Sequence, residues 1–233
     1  MLYEENERLY GKLMILNNWY WYFHKAVPIN ICNKIIKLGL SRKSKQGITY
    51  EINDSRTDSY RNIDEKPLTA KEKKILFKKR KNRVAWIDDP FIYNLLHPFI
   101  RTANKNAGWN FDWDWSEPAE FGSYAPGGFY GWHTDASASV ATNPKHVGSV
   151  GKLRKISCIL QLSHPKDYKG ADFQFDFKAE DPDISGTKIT TVHPLKDQGT
   201  IVCFPSFLWH RVTPLTKGKR YSLIVWSWGK PFK

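Results

Sequence analysis

From residue 109 onward the hydrophobic pattern of this chain takes a period of two, and that change limits the fold more than any other feature. Short apolar or aromatic runs, "WNFDW", "FGSYA", "FYGWH", "KISCILQL", "FQFDF", "KITTVH", "TIVCF", "WHRV" and "RYSLIVWSW", follow one another, separated by Gly, Pro, Asp and Ser. A period of two is that of a pleated strand with one buried face, and about eight such strands without intervening helices predict a β-sandwich or barrel, of which the double-sheet jelly roll is one solution. The front of the chain reads differently. "VPINICNKIIKLGL" sets Ile31, Ile35 and Leu38 at helical spacing and closes on Gly39 as a cap; "LTAKEKKILF" carries a Thr69/Glu72 capping box; "DDPFIYNLLHPFIRTAN" begins a helix with Asp89 as N-cap and Pro90 in its first turn, with Pro98 expected to kink or split it. "VAWI" reads as a short buried strand between the last two. The expectation is one domain over residues 1–233, mainly β with flanking helices (α+β), its mixed front at about 1–108 and its barrel at about 109–229.

Charge and cysteine content narrow the function classes. Of a formal net charge of +13, more than half sits in "KEKKILFKKRKNR", residues 71–83, which holds eight Lys or Arg against one Glu. That run is read as a solvated basic helix, with an anionic partner, nucleic acid included, as the alternative. Cys32, Cys158 and Cys203 are odd in number, far apart and set among apolar neighbours, which argues against a disulfide framework or a Cys zinc site and for a reducing, cytoplasmic setting. The longest apolar runs are too short to span a bilayer, and "MLYEENERLY" does not read as a signal peptide.

"GFYGWHTDA", residues 128–136, places His133 and Asp135 two apart on an extended segment, where both point to one side. Alone, His-x-Asp is a weak signal, a hydrogen-bonded pair being commoner than a metal site. A third donor is available in His210, at the end of a strand in "FPSFLWHRVTPLTKGKR". Ten residues later, across a hairpin, Arg220 shares a strand face with Ser222, Ile224 and Trp226. A buried arginine needs an anion, and a hydroxyl beside it can bind the same anion, so this is a geometry for holding a carboxylate. Two imidazoles and one carboxylate on one side of an octahedral ion leave three positions open, as in non-heme Fe(II) oxygenases.

With "YAPGGFYGWHTD", "LQLSHPKDYKGADFQF" and "FPSFLWHRVTPLTKGKR", the chain resembles the 2-oxoglutarate/Fe(II)-dependent oxygenases, in their prolyl 4-hydroxylase-like branch. The resemblance covers most of residues 84–229. It implies a distorted double-stranded β-helix, a cupin-like jelly roll, with Fe(II) held by His133, Asp135 and His210. It further implies that 2-oxoglutarate chelates the iron and reaches Arg220 with its distal carboxylate, helped by Tyr124 and Ser222. Tyr130 and Trp226 match pocket-lining positions, with core packing as the alternative. The implied activity consumes O2 and 2-oxoglutarate, with ascorbate as reductant, and hydroxylates a C–H bond, a prolyl residue in a peptide or protein, releasing succinate and CO2. Nucleic-acid demethylation, hydroxylation of a free amino acid and a non-catalytic binding barrel are the alternatives. The first of these lacks the second arginine six residues beyond Arg220, where this chain has Trp226. Two departures from the family concern the cosubstrate pocket: "GAD" at 170–172 where many relatives have two glycines before the acid, and Gln161 at a position often aromatic. "ASASVATNPKHVGSV", residues 136–150, has the small polar composition of a mobile lid or a linker.

Overall fold

In the computed structural model, residues 16, 18–49, 69–137, 139–142, 147–178 and 188–232 are described. Fifteen short strands and three α-helices make up these residues. The larger sheet has the order β1 (Trp21–Phe23), β12 (Ile201–Pro205), β8 (Leu153–Gln161), β15 (Arg220–Gly229), β6 (Ala119–Tyr124), β4 (Arg83–Ile87) and β2 (Lys45–Gln46), with β5 (Trp115–Ser116) also paired to β15. The smaller sheet runs β11 (Ile189–Thr191), β10 (Phe173–Asp176), β13 (Trp209–Val212), β7 (Phe129–His133) and β3 (Arg80–Lys81). A separate pair joins β9 (Tyr168–Gly170) to β14 (Leu215–Gly218). All these pairings are antiparallel, the arrangement expected of a jelly-roll double-stranded β-helix.

The period of two sorts side chains between two cores. On β8, Ile156, Cys158 and Leu160 face one cluster while Ile159 faces the other, and on β12, Ile201 and Cys203 alternate in the same way with Val202 and Phe204. The outer cluster lies between the larger sheet and two helices, α1 (Ile29–Leu40) and α3 (Pro90–Asn106), which contribute Cys32 and Ile35 and then Ile92, Leu96, Ile100 and Ala103. The inner cluster joins Tyr124, Ile159, Val202 and Phe204 of the larger sheet to Phe173, Phe175 and Val212 of the smaller, so the sheets face one another across the space that holds the site. Each such apolar side chain adds roughly 1.5–3 kcal/mol of burial.

Local signals set the helix starts. Asp89 accepts a hydrogen bond from the Phe91 amide at 2.9 Å and Pro90 occupies the first turn of α3. The Thr69/Glu72 capping box is complete at the start of α2 (Ala70–Lys79). Four details differ from the sequence expectations. No hairpin joins His210 to Arg220: Leu215–Gly218 form β14, which pairs with β9, and β13 and β15 lie in different sheets. The α3 helix runs through Pro98 without a break, because its apolar face is held against the sheet on both sides of the proline. Gly39 lies inside α1 instead of capping it: a Cβ there would come within 2.3 Å of the Phe121 ring, so the glycine permits close helix–sheet approach. "WNFDW" is not a strand. Asn110 adopts φ 51°, and the Asn104 side chain takes the place of a strand partner, accepting from the Phe111 amide at 2.9 Å and donating to the Phe111 carbonyl at 2.9 Å.

Within 136–150, residues 138 and 143–146 lie outside the described residues; the flanks are joined by a bridge between Ala141 and Val150. Among the described residues, no helix is long and apolar enough to cross a membrane, and Cys32, Cys158 and Cys203 are all buried and free.

Candidate active site

The pairing of β7 with β13 makes His133 and His210 direct cross-strand neighbours, and Asp135 follows β7 by two residues. One ligand atom from each of the three lies within 4.8 Å of the others. The Nε2 atom of His133 is 3.7 Å from Asp135 Oδ1 and that of His210 is 3.5 Å from Asp135 Oδ2, both too long for direct hydrogen bonds. Each imidazole has its other nitrogen engaged at home. His133 Nδ1 is 2.8 Å from the Gly131 carbonyl and His210 Nδ1 is 2.8 Å from the Leu208 carbonyl. A carbonyl only accepts, so each Nδ1 carries the hydrogen and each Nε2 presents a lone pair to the shared centre.

The electrostatics agree with that donor set. Burial, with His210 beside it, holds the His133 imidazole well below its ordinary pKa and therefore neutral. Burial alone would raise Asp135, but His210, His133, Arg154 and the Ser157 hydroxyl outweigh it and bring the carboxyl down to about 2. Ser157 donates to Asp135 Oδ2 at 2.7 Å and lies 2.9 Å from the Ser206 hydroxyl. The amides of Asp135 and Ala136 both donate to the Ser206 carbonyl, at 2.8 and 2.9 Å, so the loop after β7 is tied to the turn between β12 and β13. Rings back the imidazoles: Phe204 lies 4.8 Å and Phe173 5.5 Å from His210, centroid to centroid. Two imidazoles and one ionised carboxylate, oriented from behind and facing one point, fit a divalent iron with open positions.

At the start of β15, Arg220 is 2% exposed. Its Nε donates to Gln161 Oε1 at 3.1 Å, and Gln161 Nε2 in turn donates to the Tyr168 hydroxyl at 3.0 Å. Tyr124 is its cross-strand partner, with the ring centroid 5.5 Å from the guanidinium carbon, and Ser222 is flanked by Gly122 and Gln161. Among the described residues no carboxylate forms an ion pair with Arg220. The contrast with two other arginines is plain: Arg80 Nη2 meets Glu120 at 2.5 Å and Arg154 Nε meets Glu117 at 2.6 Å. The six residues singled out in the sequence thus fall into two groups. His133, Asp135 and His210 converge on one point, and Arg220, Tyr124 and Ser222 adjoin on the larger sheet.

Residues 119–228 match the profile of the 2OG-Fe(II) oxygenase superfamily. The match spans just under half of the chain, which over that stretch is similar to the superfamily. A PKHD-type hydroxylase of Teredinibacter turnerae is 31% identical to this chain over 111 residues, 47% of this chain and 42% of that protein, so the chain matches less than half the length of such curated relatives. Among solved structures, the viral collagen prolyl hydroxylase of Paramecium Bursaria Chlorella virus-1, in its 2OG complex, superposes with a TM-score of 0.58 at 15% identity, over 91% of this chain and 97% of that one. The prolyl hydroxylase of Trichoplax adhaerens, in complex with a hypoxia inducible factor oxygen degradation domain peptide fragment, gives 0.56 at 16% identity over 97% and 91%. The fold is therefore prolyl hydroxylase-like.

Three contacts are absent from the sequence expectations: Ser157 behind Asp135, Tyr168 beside Gln161, and the Arg80–Glu120 pair; Gln161, noted there as a departure in the cosubstrate pocket, holds Arg220. Part of the signal was present. In "KISCILQL" the period of two puts Ser157, Ile159 and Gln161 on one face, and polar groups alternating into a buried strand mark a site. The same test flags Glu120, which alternates with Gly122 and Tyr124.

Proposed function

We propose that this chain binds Fe(II) through His133, Asp135 and His210 and uses 2-oxoglutarate and O2 to hydroxylate a prolyl residue in a peptide or protein, releasing succinate and CO2. The observation that carries the reading is Arg220. A fully buried guanidinium beside the neutral Gln161, Tyr168 and Tyr124, with no ion-pair partner among the described residues, costs several kcal/mol until an anion arrives. A dicarboxylate supplies that anion while its other end reaches the two-histidine, one-carboxylate centre.

Iron held there supplies the redox chemistry, oxidative decarboxylation of 2-oxoglutarate coupled to oxygen insertion into a C–H bond. The chain's own groups place the reactants. Arg220 takes the distal carboxylate as a charge-assisted pair, and the Tyr124 and Ser222 hydroxyls donate to it. Ser157 engages Oδ2 of Asp135, which leaves Oδ1 the better-directed ligand atom. Phe173, Phe175 and Phe204 keep water from the flank of His210, so the donors act in a medium of low dielectric. Ascorbate serves as reductant, and three buried free thiols accord with a cytoplasmic setting.

A peptide acceptor is supported by the peptide-bound Trichoplax neighbour, and hydroxylation by the PKHD-type hydroxylase among the relatives. The test incubates the protein with Fe(II), ascorbate and 2-oxoglutarate, separately with proline-rich peptides and with methylated oligonucleotides, and measures succinate and substrate mass. Oxygen addition on a proline, lost in His210→Ala, is the expected result. Succinate coupled to oligonucleotide demethylation, with every peptide unmodified, overturns the reading.

A further inference from the structure

The basic run is part of the site's architecture as well as a charged surface. Its helix, α2, ends directly in β3, and β3 pairs with the strand that carries His133, with Arg80 opposite Tyr130 and Lys81 opposite Phe129. The glycines of "GGFYG" allow that approach: a Cβ on Gly131 would lie 3.1 Å from the Lys79 carbonyl oxygen, and one on Gly128 2.9 Å from that of Lys81. The end of the helix is therefore seated on the strand of the metal centre. Arg80 turns inward to Glu120 and Tyr130. Lys71, Lys73, Lys74, Lys78 and Lys81 stay exposed, and none has an ion-pair partner among the described residues. Between them Ile75 and Phe77 are 42% and 43% exposed.

We propose that this face of α2, next to the active site, docks an acidic and partly apolar polypeptide segment flanking the residue to be hydroxylated; this rests on the peptide-hydroxylase reading above. Charge complementarity selects an anionic partner, since unpaired like charges on one short helix repel each other by default. Two features favour polypeptide over a phosphate backbone. Every outward cation on the helix is a lysine, a point charge, and not the forked guanidinium that matches phosphate geometry. Exposed aliphatic and aromatic side chains are interleaved with those lysines, which suits apolar residues alternating with Asp and Glu.

The test uses the Mn(II)- and 2-oxoglutarate-loaded protein and two labelled peptides that differ only in the residues around one proline, Glu-rich or Gln-rich. The quadruple variant Lys71→Gln, Lys73→Gln, Lys74→Gln, Lys78→Gln is compared with wild type by fluorescence anisotropy, after circular dichroism confirms its fold. Wild type binds the Glu-rich peptide at least about tenfold more tightly than the Gln-rich one, and the variant loses roughly thirtyfold, on the order of half a kcal/mol for each exposed charge. With iron, KM for the Glu-rich peptide rises by a similar factor while kcat and peptide-free 2-oxoglutarate turnover stay the same, as loss of uniform binding requires. Equal affinity for both peptides, or an unchanged Kd in the variant, overturns the proposal. So does lysine-dependent binding of a single-stranded oligonucleotide when the Glu-rich peptide does not bind. The two readings fail separately: a proline hydroxylated irrespective of flanking charge removes only the docking surface, whereas lysine-dependent binding of the Glu-rich peptide without oxygen addition supports the surface and counts against the prolyl acceptor.

Discussion

Tyr130 lies face to face with His133, their ring centroids 3.5 Å apart and their planes 9° apart, and the Arg80 guanidinium sits over the same tyrosine ring at 4.3 Å. Arg80 is fixed in turn by Glu120, by Asn82 Oδ1 at 2.6 Å and by the Ile48 carbonyl at 3.1 Å. The orientation of one metal-facing imidazole is thus set from behind by an aromatic plate that is itself braced. Groups that orient a ligand typically contribute ten- to a hundredfold in metal affinity. Tyr130→Leu is expected to weaken Mn(II) binding about tenfold in titrations followed by electron paramagnetic resonance, with Tyr130→Phe close to wild type. Equal affinities in all three proteins would show the stack to be passive.

Replacing Arg220 separates stability from ligand binding. Arg220→Met removes a buried cation that has no counter-ion among the described residues, so the ligand-free variant is expected to be as stable as wild type or more so, by up to about 4 kcal/mol in denaturant unfolding. Its affinity for 2-oxoglutarate falls by roughly 2–5 kcal/mol, about thirty- to several-thousand-fold by calorimetry. Wild-type affinity in the variant would place the distal carboxylate elsewhere.

Glu120→Ala has the opposite stability effect. Burial pushes the Glu120 carboxyl up while Arg80 pulls it down, and the 2.5 Å contact to a permanently charged guanidinium keeps the pair ionised. Removing the acid leaves Arg80 buried alone, at an expected cost of about 3–5 kcal/mol in urea denaturation. A change under 1 kcal/mol would mean that Asn82 and the Ile48 carbonyl suffice to hold the cation.

Acid should destabilise the metal-free protein in two windows. The folded-state pKa of His133 lies below its ordinary 6.5, so the unfolded chain binds more protons there; the associated stability is complete above pH 6.5 and is lost as pH falls toward the folded value. Asp135, near 2 when folded against an ordinary 3.8, adds about 2 kcal/mol above pH 4 that is lost between pH 4 and 2. Unfolding free energies measured in EDTA from pH 8 to 3 should show the first window, and His133→Asn should flatten it. A flat profile in wild type over pH 5–7 would contradict the neutral, buried imidazole.

The strands were legible because a half-buried strand writes its period directly into the sequence, and helix starts were legible because Thr69 with Glu72, and Asp89 with Pro90, act on their own first turns. What was illegible depends on partners distant in the chain. Nothing within "KEKKILFKKRKNR" distinguishes Arg80 from its neighbours; its inward turn is set by Glu120, forty residues on. The role of Gly39 exists only once Phe121 packs against it, and α3 passes Pro98 because the sheet supports both halves. The converging trio was readable from residue types and spacing, whereas the contact of Gln161 with Arg220, and Tyr168 behind it, became visible only when the register of β8 and β15 put an amide beside the guanidinium.

That amide has an evolutionary consequence. Gln161 and glutamate have nearly the same shape, and the Gln161 oxygen already lies 3.1 Å from the Arg220 Nε. A change of one functional group at position 161 would give the guanidinium a permanent tenant in place of the dicarboxylate proposed for it. The barrel, both cores and the three metal-facing side chains would be unaltered. In this scaffold a single codon therefore separates the cosubstrate-dependent catalyst proposed above from a variant whose arginine is already paired, and reversion is equally short.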